Sequence, residues 1–114
     1  MSKSNKGYLI LPYTVYSDPR LNEVDKLIFA RIYGLTQEEG YCWASNSFLG
    51  NEIGKTSNYI SKIISKLKNC GYIDVKIDIN TLNSKRRKIY VNDSVLDIIN
   101  PNNKRHEDDI GISL

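Results

Sequence analysis

The chain has 114 residues, 40% of them hydrophobic and 25% charged, and a formal net charge of +3. That is the length of one domain with enough apolar residues for a core, which excludes wholesale disorder and collagen-like or mucin-like architecture. No apolar run exceeds four residues, so no segment can cross a membrane as a helix. Residues Met1 to Gly7 precede no apolar stretch of signal-peptide length. Cys42 and Cys70, with no CxxC spacing, fit a reducing compartment, and a cytoplasmic protein is expected. The charge is unevenly spread: residues 53–90 hold nine basic and two acidic side chains, residues 18–52 three basic and six acidic. Such segregation points to a face that meets a polyanion.

Gly7 to Pro12 reads as an extended opening segment, Tyr13 to Ser17 as one irregular turn, and Asp18-Pro19 as a turn signal. Asn22 is a good N-cap, with Glu23 and Asp25 in the first turn, where the helix dipole favours acids. Val24, Leu27, Ile28, Ile32 and Leu35 recur at helical spacing, so a first helix runs to Tyr33 or on to Glu38. Tyr41-Cys42-Trp43 reads as a short strand. Ser45 or Asn46 caps a second helix with Phe48, Leu49 and Ile53 on its apolar side, stopped by Gly54.

Only Lys55 separates that glycine from Thr56, a new N-cap. The third helix, Ser57 to Asn69, carries Ile60, Ile63, Ile64 and Leu67 as one stripe, and Gly71 ends it. Val75, Ile77 and Ile79 then alternate with polar residues, the period of a half-buried strand. Thr81 to Lys85 is a polar turn, and Lys88 to Val91 returns as a second strand. Ser94 to Ile99 reads as a short closing helix. The expected layout is a flexible N-terminus over 1–7, one folded domain over 8–99 and a polar, disordered tail over 100–114.

The order predicts an α+β winged helix-turn-helix domain, with three main helices and a small antiparallel sheet that forms the wing hairpin. In such a module the second helix of the pair enters the major groove. With the apolar stripe turned to the core, the opposite face of the third helix presents Ser57, Asn58, Ser61, Lys62, Ser65 and Lys68, with Tyr59 and Lys66 at its borders. No acid occurs from Lys55 through Tyr72. These side chains suit hydrogen bonds to base edges and contacts to phosphate. Lys85, Arg86, Arg87 and Lys88 add four cations at the wing turn, and they repel one another unless a polyanion relieves them. The candidate DNA-binding residues are therefore Lys55, Thr56, Ser57, Asn58, Tyr59, Ser61, Lys62, Lys66, Lys85, Arg86, Arg87 and Lys88. Asn58 has the donor and acceptor pair that suits adenine, Lys62 and Lys66 are expected on phosphate, and Arg86 and Arg87 on phosphate or in a minor groove.

Several residues match a known family: Leu11-Pro12, Asp18-Pro19-Arg20-Leu21, Lys26-Leu27, Gly40 through Asn46, Leu49, Ile53-Gly54, Thr56, Ile60, Ile64, Leu67 and Gly71-Tyr72-Ile73. On these the chain resembles the winged helix-turn-helix module at the N-terminus of phage replisome-organiser proteins and plasmid replication initiators, over residues 8 to 92. It departs where a Pro-Ser pair commonly precedes the second helix, here Ala44-Ser45, and where alanine commonly follows Leu49, here Gly50. The resemblance implies DNA binding and a role in replication. It also implies a replisome partner reached through a further C-terminal domain, so the chain is expected to be either an excised N-terminal domain or a stand-alone binder.

The expected partner is double-stranded DNA, read as two half-sites by a homodimer. Tyr8, Tyr13 and Tyr16, or Val95, Ile98 and Ile99, are the candidate dimer surfaces. A transcriptional repressor of a mobile element would use the same module. A protein-interaction winged helix that meets an acidic partner is the alternative of a different class. No enzyme is expected, because His106 is the only histidine and no Ser/His/Asp set is available. No metal or nucleotide cofactor is expected either, since ligand count and phosphate-loop motifs are both lacking. Trp43 is expected in the core beneath the wing. Cys42 and Cys70 read as small core residues, and Tyr33 as core or dimer surface.

Overall fold

The computed structural model describes residues 7–79, 85–92 and 94. The elements are α1 (Tyr13–Tyr16), α2 (Glu23–Glu39), α3 (Asn46–Ile53), α4 (Ser57–Asn69), β1 (Ile73–Ile79) and β2 (Lys85–Val91). The irregular turn is thus a single turn of helix. The closing segment 95–99 lies outside the described residues, as do the N-terminus over 1–6 and the tail.

Helices α2, α3 and α4 each start on a side-chain cap. Asn22 accepts from the Asp25 N–H, and the Asp25 carboxylate accepts from the Asn22 N–H, a reciprocal capping box. Ser45 caps α3 by accepting from the Phe48 N–H, and Thr56 caps α4 by accepting from the Tyr59 N–H. Helix α2 runs through Gly34 to Glu39 because Leu35 and Thr36 beyond it are buried. Their packing outweighs the roughly 1 kcal/mol that glycine costs a helix interior. Gly54, left-handed at φ 74°, closes α3 and lets the chain turn into α4 within two residues.

The core lies between α2, α4 and the inner face of the sheet. Ile28, Phe29, Ile32 and Leu35 of α2 meet Ile60, Ile63, Ile64 and Leu67 of α4, with Leu49, Cys42, Tyr72, Ile73, Ile89 and Val91 around them. The buried row of α2 includes Asp25, Ile28, Phe29, Ile32 and Thr36. Leu27 falls off that row and is 48% exposed, whereas Phe29 occupies the centre. Ile53, at the far end of α3, is likewise on the surface.

Strands β1 and β2 pair antiparallel, with Ile73 opposite Val91 and Ile79 opposite Lys85. The expected strand at 41–43 reduces to one bridge: Cys42 and Ile89 exchange both backbone hydrogen bonds, at 2.7 and 2.9 Å. The apolar alternation of β1 does not all face the core. Val75 is half-buried and Ile77 is 59% exposed, because the hairpin extends past the helices. Tyr72 locks the base of the hairpin: its carbonyl accepts from the Asn92 N–H, and its hydroxyl donates to Asp18.

Candidate nucleic-acid interface

Helices α3 and α4 meet across the Gly54-Lys55 turn. The turn is tight because the Lys55 N–H donates to the Gly50 carbonyl at 2.9 Å, and a Cβ on Gly50 would collide with the Lys55 carbonyl oxygen. Ser47 and Ser57 share a hydroxyl hydrogen bond of 2.9 Å, which ties the first turns of the two helices together.

With Ile60, Ile63, Ile64 and Leu67 buried, Ser57, Asn58, Ser61, Lys62, Ser65 and Lys68 are all exposed on the opposite side of α4. Thr56 serves as the cap, and its hydroxyl is committed to the Tyr59 N–H. The Lys55 amine lies 5.1 Å from the centre of the Tyr59 ring. The surface from Lys55 to Lys68 is therefore polar and basic, with short side chains in front and long cations at its edges.

Lys66 departs from that pattern. Its amine lies 2.7 Å from Asp25, whose carboxylate is buried beneath it. The hydrogen bond to Asp25 holds the Lys66 amine above its ordinary pKa. Its charge is thus already opposed within the fold.

The four cations expected at the wing turn belong to strand β2, which begins at Lys85. The turn at 80–84 lies outside the described residues. Period two then separates Arg86 and Lys88 from Arg87. Arg86 is exposed and Lys88 half-buried, on the face of the sheet away from the core. Arg87 points the other way, on the side of Ile89. Its guanidinium donates to Asn46 Oδ1 at 2.8 Å and to the Ala44 carbonyl at 2.6 Å. Burial disfavours its charge and lowers its pKa. Arg87 is thus a clasp between β2 and the start of α3, which corrects its expected position at a projecting tip.

Tyr41 and Trp43 were not among the expected site residues. Trp43 is 43% exposed, not core, and its ring meets Phe48 edge-on at 5.0 Å. Lys88 holds its amine 4.7 Å from the centre of the Tyr41 ring. The signal was the bridge residue itself: if Cys42 faces the core, its neighbours on an extended chain must face away. Burial also raises the pKa of the Cys42 thiol, as for an inert core cysteine. Tyr33 is half-buried and stacks on Phe29.

A second polar cluster anchors the entry to α2. Asp18 is buried and accepts from the Arg20 backbone and guanidinium and from the Tyr72 hydroxyl at 2.7 Å. Arg20 first, then Tyr72, holds the Asp18 carboxyl well below the usual carboxylate range.

Residues 20–73 match the family model described as a helix-turn-helix domain. The chain carries a helix-turn-helix domain. The match spans α2, α3 and α4 and ends where β1 begins, and the antiparallel hairpin that follows the helix-turn-helix domain gives it the winged form. No curated protein matches the chain. Among the described residues, no helix is long and apolar enough to cross a membrane, and no group of three or more His, Cys, Asp or Glu could hold a metal ion.

Proposed function

We propose that the chain binds double-stranded DNA sequence-specifically, with α4 in the major groove and the wing against the flanking backbone. The observation that carries this reading is the outward face of α4: Ser57, Asn58, Ser61, Lys62, Ser65 and Lys68 are exposed together, and no carboxylate interrupts the run from Lys55 through Tyr72. Short hydroxyl and amide side chains near the helix N-terminus suit base edges, and Lys55, Lys62 and Lys68 suit phosphate. Arg86 is the foremost wing cation for the backbone, with Lys88 beside it, and Lys85 is a further candidate. Lys66 and Arg87 act inside the fold, on Asp25 and on Asn46.

The role favoured is origin recognition in phage or plasmid replication. It rests on the resemblance through Asp18-Pro19-Arg20-Leu21, with repression of a mobile-element promoter as the other use of the same module. A replisome protein contacted through a further domain belongs to the same proposal. Tyr8, Leu9, Ile10, Tyr13 and Tyr16 form an exposed apolar N-terminal surface, which supports a homodimer on two half-sites.

The test is selection of bound sequences from a random duplex pool, followed by salt titration on the selected site. A shared motif and a steep loss of affinity with salt are expected. Location of that motif in an origin repeat or over a promoter separates the two roles. A dissociation constant weaker than about 1 mM on every duplex at low salt overturns the reading.

A further inference from the structure

A groove of about 470 Å³ opens between β2 and the segment that leads into α3, lined by Tyr41, Trp43, Asn46, Arg86, Arg87 and Lys88. That volume lies within the range of sites that enclose a small ligand. Its chemistry has two halves. One is aromatic: Trp43 lines the groove, is 43% exposed and packs edge-on against Phe48 on another side. The other half is cationic. No carboxylate lines the groove, and among the described residues none is ion-paired with Arg86, Arg87 or Lys88.

Strand register adds a second observation. Lys88 lies directly opposite Lys76 across the ladder, and like charges so placed destabilise a sheet. Asp78 stands opposite Arg86 and offsets part of its charge, so the surplus at this end of the ladder rests on Lys76 and Lys88. The Arg87 guanidinium is spent on neutral oxygens at the N-terminus of α3, where the helix dipole is itself positive. The site therefore gathers positive potential beside an open aromatic face. A nucleotide matches both halves, because its base is a flat π surface and its phosphate an anion.

We propose that this groove takes one unpaired nucleotide of a DNA strand, with its base stacked on Trp43 and its phosphate held by Arg86 and Lys88. The proposal rests on the DNA-binding reading and deepens it: Arg86 and Lys88 meet the backbone in either mode, and only the stacking on Trp43 requires an unpaired base. A frayed end, a bubble or a single-stranded flank would supply the nucleotide.

The chain's single tryptophan is the one in the groove, so its emission reports occupancy directly. The native chain is titrated with an oligothymidylate of about 12 nucleotides and, separately, with a blunt duplex. Quenching by the oligothymidylate and little change with the duplex are expected. With a dye-labelled oligonucleotide followed by anisotropy, Trp43→Ala is expected to lower single-strand affinity about tenfold, and Trp43→Phe to restore part of it. Duplex affinity stays within about twofold in both variants, and a melting curve of each verifies the fold. If Trp43→Ala fails to fold, the quenching of the native chain and the Trp43→Phe affinity carry the test.

Binding of the oligothymidylate without a change in emission overturns the proposal. So does its displacement by polyglutamate at equal charge, an equal loss on single strand and duplex, or no single-strand binding at low salt. Loss of all duplex binding with quenching intact would instead sink the α4 reading and leave the groove assigned.

Discussion

The amine of Lys66, on the helix that carries the candidate interface, lies 2.7 Å from the buried carboxylate of Asp25 in the first turn of α2. Asp25 also closes the capping box of α2, so one carboxylate both starts one helix and anchors another. The pair adds a polar tie between α2 and α4 beside the buried stripe that turns α4 toward the core. Lys66→Ala is therefore expected to lower the melting temperature, because it leaves a buried carboxylate without its cation. Lys62→Ala, one turn earlier and exposed, is expected to leave the melting temperature unchanged and reduce the salt slope of duplex binding by about one unit. Salt titrations and melting curves of both variants check the contrast.

Asn58 stands in the first turn of α4 with its amide exposed. As a reader of bases it gives Asn58→Ala a loss of roughly 1–3 kcal/mol on the selected site and little on scrambled duplex. Thr56, not Asn58, caps the helix, so the melting temperature should hold. Equal losses on both duplexes would remove Asn58 from the reading face.

Arg87 clasps β2 to the Ala44-Asn46 segment through two hydrogen bonds from one guanidinium. Arg87→Ala is expected to cost roughly 1.5–3 kcal/mol of stability, the worth of hydrogen bonds from a charged group. Lysine cannot span both acceptors with a planar fork, so Arg87→Lys should recover only part of it. Denaturant unfolding of the two variants gives the comparison.

Asp18 supplies a pH dependence. Its folded pKa lies below the ordinary value of 3.8, through Arg20 first and Tyr72 next. The stability it contributes is thus fully present above about pH 4 and is lost as pH falls below that value toward the folded pKa. Melting temperature measured from neutral to acid pH should fall on that limb. Asp18→Asn should flatten the limb and lower stability at neutral pH.

Gly50 departs from the alanine common at this position in the resembling family, and the α3–α4 turn explains it. A methyl group there would press on the Lys55 carbonyl oxygen and crowd Ile60. Gly50→Ala is expected to lower stability by about 1–3 kcal/mol and to weaken duplex binding through the displaced start of α4. Unfolding curves and duplex titrations test both effects.

The helices, their caps and the stripe Ile60, Ile63, Ile64, Leu67 were legible in the sequence, because capping and helical period are set by residues three and four apart. The α4 face followed by exclusion once that stripe was turned inward. The hairpin can be read from period two and a polar interruption, but its register cannot, and β2 begins at Lys85, three residues before the sequence pattern places it. What the tertiary structure decided lies in contacts between distant residues. Lys66 finds Asp25, and Arg87 finds Asn46, each across 41 positions of chain. No local pattern marks which lysine of a basic helix will meet a carboxylate, or which of two adjacent arginines a neighbouring helix will capture. Trp43 shows the same limit from the other side. An aromatic residue carries a core-like composition whatever its surroundings, and only the bridge between Cys42 and Ile89 turns it outward to face Arg86 and Lys88.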